Sequence, residues 1–389
     1  MKKIYLDYAA TTPVDPAVLR AMEPYFTERF GNPGSVHSFG QEAITAVDRS
    51  REAIAAALGT GFRNIIFTSG ATEANNLAIR GALPIAREHS KNFERPRIIV
   101  SAIEHESVIE TARAVMRMGA EVVHVPVSPD GIVDEKKIKE ALNERTVLVS
   151  IMYANNEIGS VQPIAAIAKM VREFRASLGK SAHAVYPLLH TDAAQALQFL
   201  DCNVERLGVD LMTLSAHKVY GPKGVGALYV RDVKMLWSTA RGGGQEFGLR
   251  SGTENVPAIV GFAKALELAL AAREKESVRL AALRDGLWEN IKKAFPKAEK
   301  NGEPGLPNIL NVYFPGHAAQ DLLTKFDLAG LAASSGSACN SRAIEPSYVI
   351  EALGYSKERA ASSIRFSLGR PTTPTETEEA VGIIETFLR

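Results

Sequence analysis

Several short segments place reactive side chains just past apolar runs. "LMTLSAHKVYGPKGVGALYV" (211–230) reaches Ser215 and then presents His217 and Lys218. A lysine past a buried strand, beside a desolvating pocket, can form a Schiff base with a carbonyl. A solvated loop is the commoner place for a lone lysine. "PLLHTD" (187–192) ends on Asp192, with Gln195 three residues on. Asp192 either caps the next helix or keeps a ring nitrogen protonated. "YANNEIGSVQP" carries Asn155 and Asn156 in tandem, as amide donors to a phenolate-like oxygen or as turn residues. "SAIEHES" places His105 after its run, to stack on a flat ring or move protons, or simply to be satisfied by backbone. In "TSGATEANN", Ala71 and Thr72 follow a glycine and open a helical pattern. Such a helix start binds anions through backbone N–H groups, although a plain cap looks the same. Cys339, in "LAASSGSACNSRAIEPS" (331–347), is one of two cysteines and has no apolar periodicity around it.

The elements that would position these groups alternate from about residue 60 to 232. Strands are expected at 64–69, 97–102, 121–127, 146–152, 187–192, 211–216 and 225–230, and helices at 72–88, 106–119 and 164–179. Near-continuous apolar strands separated by amphipathic helices imply a mostly parallel α/β sheet covered on both faces. Ligands collect at the carboxyl ends of such strands. Beyond 255, a long helix to about 295, strands at 308–314 and 362–369, a helix near 318–326 and a final helix describe a smaller α+β unit.

An anion cradle, an imidazole, an amide, a carboxylate and a lysine at one sheet edge suit pyridoxal 5′-phosphate. The phosphate would sit at the helix start, Asp192 on the pyridinium nitrogen and Lys218 on the aldehyde. A protonated ring is the better electron sink. "GGGQEFG" (242–248) does not follow a strand and open a helix, so it fails as a dinucleotide-binding fingerprint.

The 389 residues suffice for more than one domain, and 46% hydrophobic with 23% charged residues is ordinary for a globular chain. A net charge of +1 gives no long-range pull toward nucleic acid or an anionic membrane. Two cysteines cannot form a disulfide framework, which points to a reducing compartment. The N-terminus has no apolar signal region and no run spans a membrane, so a cytoplasmic location is expected. No metal site is read.

The motifs "YLDYAATTPVDP", "FGNPGSVHSFG", "TSGATEANN", "EHESV", "NNEIG", "TDAAQ", "SAHKVYGPKGVGALYV", "RSGTEN", "SSGSAC" and "SIRFSLGR" run almost end to end. By them the chain resembles the NifS/IscS-type cysteine desulfurases of the class V aminotransferase family, over roughly residues 4 to 388. The resemblance implies the type I (aspartate aminotransferase-like) fold of pyridoxal 5′-phosphate enzymes. It implies a segment 1–15 joining the small domain, a large cofactor-binding domain 16–255, and a small domain 256–389 carrying the Cys339 loop.

It also implies roles. Lys218 would carry the cofactor as an aldimine, Asp192 pair with the ring nitrogen, and His105 stack on the ring. Asn156, with Gln195 beside it, would lie near the phenolic oxygen. Ala71, Thr72, Ser215 and His217 would hold the phosphate, and Thr253 would reach the phosphate of the neighbouring subunit in a homodimer. Arg365 would clamp the carboxylate of L-cysteine, with Asn32 near the substrate. Cys339 would take the sulfur as a persulfide, leaving L-alanine, and pass it to an acceptor protein for iron–sulfur cluster assembly or tRNA thiolation. A selenocysteine lyase or other β-lyase of the same fold is the alternative. Cys202 reads as structural, 180–188 as a surface insertion, and the small residues around Cys339 as a mobile loop.

Overall fold

The structure is a computed structural model, and residues 3–89, 94–179, 185–336 and 346–388 are described. After a two-residue strand β1 (Ile4–Tyr5), seven strands build the main sheet. They are β2 (Ile65–Thr68), β3 (Arg97–Ser101), β4 (Glu121–Val125), β5 (Thr146–Ser150), β6 (Leu188–Asp192), β7 (Leu211–Ser215) and β8 (Gly226–Val230). Their spatial order is β2-β8-β7-β6-β5-β3-β4. The pairs β3–β4, β3–β5, β5–β6 and β6–β7 are parallel, whereas β8 runs antiparallel to both β7 and β2. The sheet is therefore mixed and mostly parallel, as the sequence predicts.

Period-two alternation explains how both faces are filled. Phe67, Ile99, Leu189, Met212 and Tyr229 enter one core, and Ile66, Val100, Leu188, Leu211 and Leu228 enter the other. The first core is closed by the helices Ser38–Leu58, Ile164–Ser177 and the start of Val256–Ala294. The second is closed by Ala71–His89 and Glu106–Arg117. β4 ends the sheet at Val125, before Pro126, because proline cannot donate to a ladder.

Helix Val256–Ala294 has 39 residues and is capped by Asn255, whose side chain accepts from the Ala258 N–H. At 1.5 Å per residue it is roughly 58 Å long. Its Ile259, Phe262 and Leu266 belong to the first core, and its Leu280, Leu287 and Ile291 to a third. That third core lies under β9 (Glu299–Lys300), β10 (Ile309–Tyr313), β11 (Leu331–Ala332) and β12 (Ser363–Ser367). β10 is central and antiparallel to β9 and β12, while β11 pairs with β1. Bridges Asp7↔Ser367 and Ser334↔Arg365 join those two strands to β12. The N-terminus thus crosses to the C-terminal sheet and brings residues 7–12 back over the main one. The last helix, Pro374–Leu388, opens on a reciprocal cap: Thr373 N–H donates to Glu376, and the Glu376 N–H donates to the Thr373 hydroxyl.

The long helix Ser38–Leu58 is not among the helices expected from the sequence. Its buried stripe is largely Ala, Gly and Ser, with Val47, Ile54 and Leu58 as the bulky contacts, so its apolar contrast is weak. Among the described residues no helix is long and apolar enough to cross a membrane.

Candidate active site

The carboxyl ends of β2, β3, β5, β6 and β7 face a cavity of about 420 Å³. Ala71, Thr72, His105, Asn156, Asp192, Gln195, Ser215, His217, Lys218 and Arg365 all line it. The strands deliver all of these but Arg365, which comes from β12.

The cradle forms where β2 turns into helix Ala71–His89. Gly226 pairs with both Thr68 and Ser215, and a Cβ there would lie 2.8 Å from Gly70 and 2.6 Å from the Leu214 carbonyl. Only glycine lets the turn approach this closely. Ser215 projects a buried hydroxyl with no partner among the described residues. A helix N-terminus beside an unsatisfied hydroxyl fits a phosphate.

Asp192 and His105 serve at once as turn residue and cavity wall. Asp192 Oδ1 accepts from the Ala194 N–H at 2.9 Å, and its Oδ2 from Asn75 Nδ2 at 2.7 Å. The second carboxylate oxygen is thereby oriented by a side chain rather than by solvent. His105 caps helix Glu106–Arg117: its Nδ1 accepts from the Ser107 N–H at 3.1 Å, which leaves the proton of the neutral ring on Nε2. Burial, with Lys218 acting in the same sense and Asp192 opposing, holds His105 below the ordinary imidazole range. His217 is pushed down to about 4 by burial and by Lys218 and Lys223. Both rings are neutral near pH 7.

The tandem asparagines are placed differently. Asn155 is fully buried; its Oδ1 accepts from Glu157 and Ile158 N–H groups, and its Nδ2 donates to the Ile103 carbonyl. It makes the turn. Asn156 lines the cavity, and its carbonyl receives Arg365 Nη1 at 2.9 Å. Arg365 is 1% exposed, and its Nη2 pairs with Asp7 at 2.6 Å. Its Nε is buried without a partner among the described residues, a donor that fits a carboxylate.

The returning N-terminal segment closes the cavity. Lys218 Nζ donates to the Ala9 carbonyl at 2.5 Å and the Ala10 carbonyl at 2.9 Å. Gln195 Nε2 also donates to Ala9, and Thr11 Oγ1 lies 3.1 Å from His217 Nδ1. From sequence, "YLDYAATTPVDP" carries a resemblance but none of its residues a task. Asn75, Glu73 and Lys223 also escape sequence reasoning, although the first two lie in "TSGATEANN", one turn from Ala71.

Asn32 and Thr253 are exposed and outside the cavity lining. Cys339 and its neighbours 337–345 lie outside the described residues, as do 180–184 of the expected insertion. Of the rest of that insertion, Tyr186, Pro187 and Leu188 are buried rather than at the surface, and Leu188 opens β6. Cys202 is buried, and burial pushes its thiol up to about 12.

The family described as Aminotransferase class-V matches residues 4–379. A protein of Dictyoglomus turgidum named cysteine desulfurase IscS is 42% identical over 389 residues, covering 100% of this chain and 95% of that one. The chain belongs to the cysteine desulfurases of the class-V aminotransferase family. A further member, the mitosomal cysteine desulfurase of Trachipleistophora hominis, is 43% identical over 97% of this chain and 84% of its own. A solved NifS-like protein superposes with a TM-score of 0.89 at 35% identity, covering 99% of both chains. The fold is the type I fold of pyridoxal 5′-phosphate enzymes, and the desulfurase family depends on that cofactor.

Proposed function

We propose that this desulfurase converts L-cysteine to L-alanine in the Lys218 cavity and stores the sulfur on Cys339 as a persulfide. The observation that carries the reading is the convergence of Lys218, Asp192, His105 and Arg365 with a helix N-terminus around one cavity. When bound, pyridoxal 5′-phosphate supplies an electron sink for the substrate's Cα electrons. Lys218 would hold it covalently, Asp192 would keep the ring nitrogen protonated, and His105 would lie against the ring. Asn156 and Gln195 would serve the phenolic oxygen, while Ala71, Thr72, Ser215 and His217 would hold the phosphate.

Arg365 binds the substrate carboxylate through its fork of donors. The neutral His105 ring carries its proton on Nε2 and so offers a hydrogen-bond donor at the cavity. The Cys339 thiolate attacks the substrate sulfur. An S–S bond forms and the Cβ–S bond breaks, its electron pair passing to the carbon skeleton. Protonation at Cβ then gives L-alanine. The sulfur atom is oxidised as the carbon is reduced, so no outside oxidant is needed.

The working unit is a homodimer in which Thr253 reaches the neighbouring subunit's phosphate and Asn32 lies near its substrate. Support comes from the exposure of Thr253 and of an apolar stretch around Asn32, where Phe26 is 59%, Phe30 65% and Phe39 50% exposed. The sulfur acceptor is a partner protein, serving iron–sulfur cluster assembly or thiolation. The compartment is reducing and cytoplasmic, on the low cysteine count.

Rates of L-alanine release from L-cysteine and from L-selenocysteine, in the native protein and in Cys339→Ala, test this. We expect the variant to lose the L-cysteine reaction and keep much of the selenocysteine reaction. Full activity of Cys339→Ala on L-cysteine would remove Cys339 as the nucleophile and favour a β-lyase of the same fold.

A further inference from the structure

The residues that flank the Cys339 segment are tied to the cavity from below. Glu157 follows Asn156 directly and is 2% exposed. Its Oε2 accepts from the Ser347 hydroxyl at 2.5 Å. The same oxygen lies against Gly336, where an added Cβ would sit 3.3 Å away. One buried carboxyl group therefore lies beside the last described residue before the segment 337–345 and is hydrogen-bonded to the second residue after it. Next to Ser347, Tyr348 donates its hydroxyl to the Glu104 carbonyl at 2.5 Å, and Glu104 directly precedes His105. Ser347 also caps helix Tyr348–Ala352 through the Ile350 N–H, so its side chain is held from both sides. Beneath, Val349, Ile350 and Leu353 share an apolar cluster with Ile103, Met152 and Ile158, residues flanking the same two cavity segments.

We infer that Ser347, Tyr348 and Glu157 are positioning residues for sulfur transfer: they fix the base of the Cys339 segment to the segments that carry His105 and Asn156. The inference rests on the reading of Cys339 as the nucleophile. A thiol on a long segment must arrive within bonding reach of one sulfur atom, and small misplacements of reacting groups cost large factors in rate. The Glu157 carboxyl group holds Ser347, two residues past the segment, and lies beside Gly336, the residue before it, so it sets where the chain enters and leaves the fold. This arrangement leaves the cofactor contacts, made by other side chains, intact.

Rapid mixing of the holoprotein with L-cysteine, followed by alkylation and mass spectrometry, reads the rate of persulfide formation on Cys339. The comparison set is Ser347→Ala/Tyr348→Phe, Glu157→Ala and Glu157→Gln, with the visible cofactor band and KM for L-cysteine recorded on each. We expect persulfide formation to slow roughly tenfold or more in the double variant and in Glu157→Ala. The cofactor band and KM should stay unchanged. Glu157→Gln, which still accepts the Ser347 hydroxyl, should recover most of the rate. A double variant that forms persulfide at the native rate overturns the inference. So does a loss of the cofactor band in step with the rate, which would assign these contacts to fold stability alone. Failure of the underlying reading has a different signature: Cys339→Ala would then release alanine at the native rate.

Discussion

Arg365 and Asp7 are 358 residues apart in the chain, and their side chains meet at 2.6 Å beside the cavity. The pair exists because the N-terminal segment crosses to β12. Arg365 is almost fully buried, so leaving its charge without this partner would be costly. Asp7 and the Asn156 carbonyl together fix the plane of the guanidinium, which on the proposed reading binds the substrate carboxylate. Asp7→Asn keeps the shape and removes the charge. KM for L-cysteine should rise about tenfold, equivalent to ~1.4 kcal/mol, with a smaller change in kcat. An unchanged KM in steady-state alanine release would show that Asp7 does not orient Arg365.

Asn75 is the group behind Asp192. Its Nδ2 reaches Asp192 Oδ2 at 2.7 Å and Ser107 Oγ at 2.8 Å, in full burial. A hydrogen bond to a charged group contributes about 1.5–3 kcal/mol. Asn75→Ala should therefore weaken pyridoxal 5′-phosphate binding roughly tenfold to a hundredfold. Titration of the apoprotein with the cofactor, followed by fluorescence, measures it. Native affinity in the variant would detach Asn75 from cofactor binding.

Glu104 links stability to pH. Its carboxyl is fully buried; Ser101 Oγ and the Met152 N–H donate to Oε1, and Oε2 has no partner among the described residues. Burial pushes it up to about 8. The ordinary glutamate value is about 4.3. Between the two the folded protein holds a proton that the unfolded chain does not, so stability falls as pH rises through this window. Glu104→Gln should remove that part of the decline. Its melting temperature should exceed that of the native protein at pH 8 and approach it at pH 5. Parallel curves for the two proteins would contradict the protonated state.

The two cysteines should differ sharply. Cys202 is 2% exposed, with a thiol near 12, and the thiolate is the reactive form. Brief iodoacetamide treatment of the native protein at pH 8 should label the Cys339 peptide and spare Cys202. Cys202→Ala should keep alanine release within about twofold, as expected of a group outside the site. Labelling of Cys202 first would reverse the assignment.

The strands of the main sheet are legible in the sequence because most of them are buried on both faces and rich in β-branched and apolar residues, and the rule that ligands gather at the carboxyl ends of such strands locates His105, Asn156, Asp192 and Lys218. Three kinds of feature are not legible there. Helix Ser38–Leu58 buries small residues, which give little periodic contrast. Asn75, Asp7 and Glu157 act through other side chains, and their partners lie 117, 358 and 190 residues away. Ala9 and Ala10 contribute backbone carbonyls, which no residue type advertises. In the tandem Asn155–Asn156 the sequence offers a turn and a ligand; the structure makes the turn with Asn155 and sets Asn156 on the cavity wall.

The central claim is that Lys218 carries the cofactor. Lys223 also lines the cavity, so a lysine there is a real competitor. Reduction of the holoprotein with borohydride, followed by peptide mapping, fixes the attachment site. We expect a pyridoxyl group on the peptide containing Lys218, at Lys218 itself, and its loss in Lys218→Ala. A pyridoxyl group on Lys223, or an undiminished cofactor band in Lys218→Ala, would contradict it.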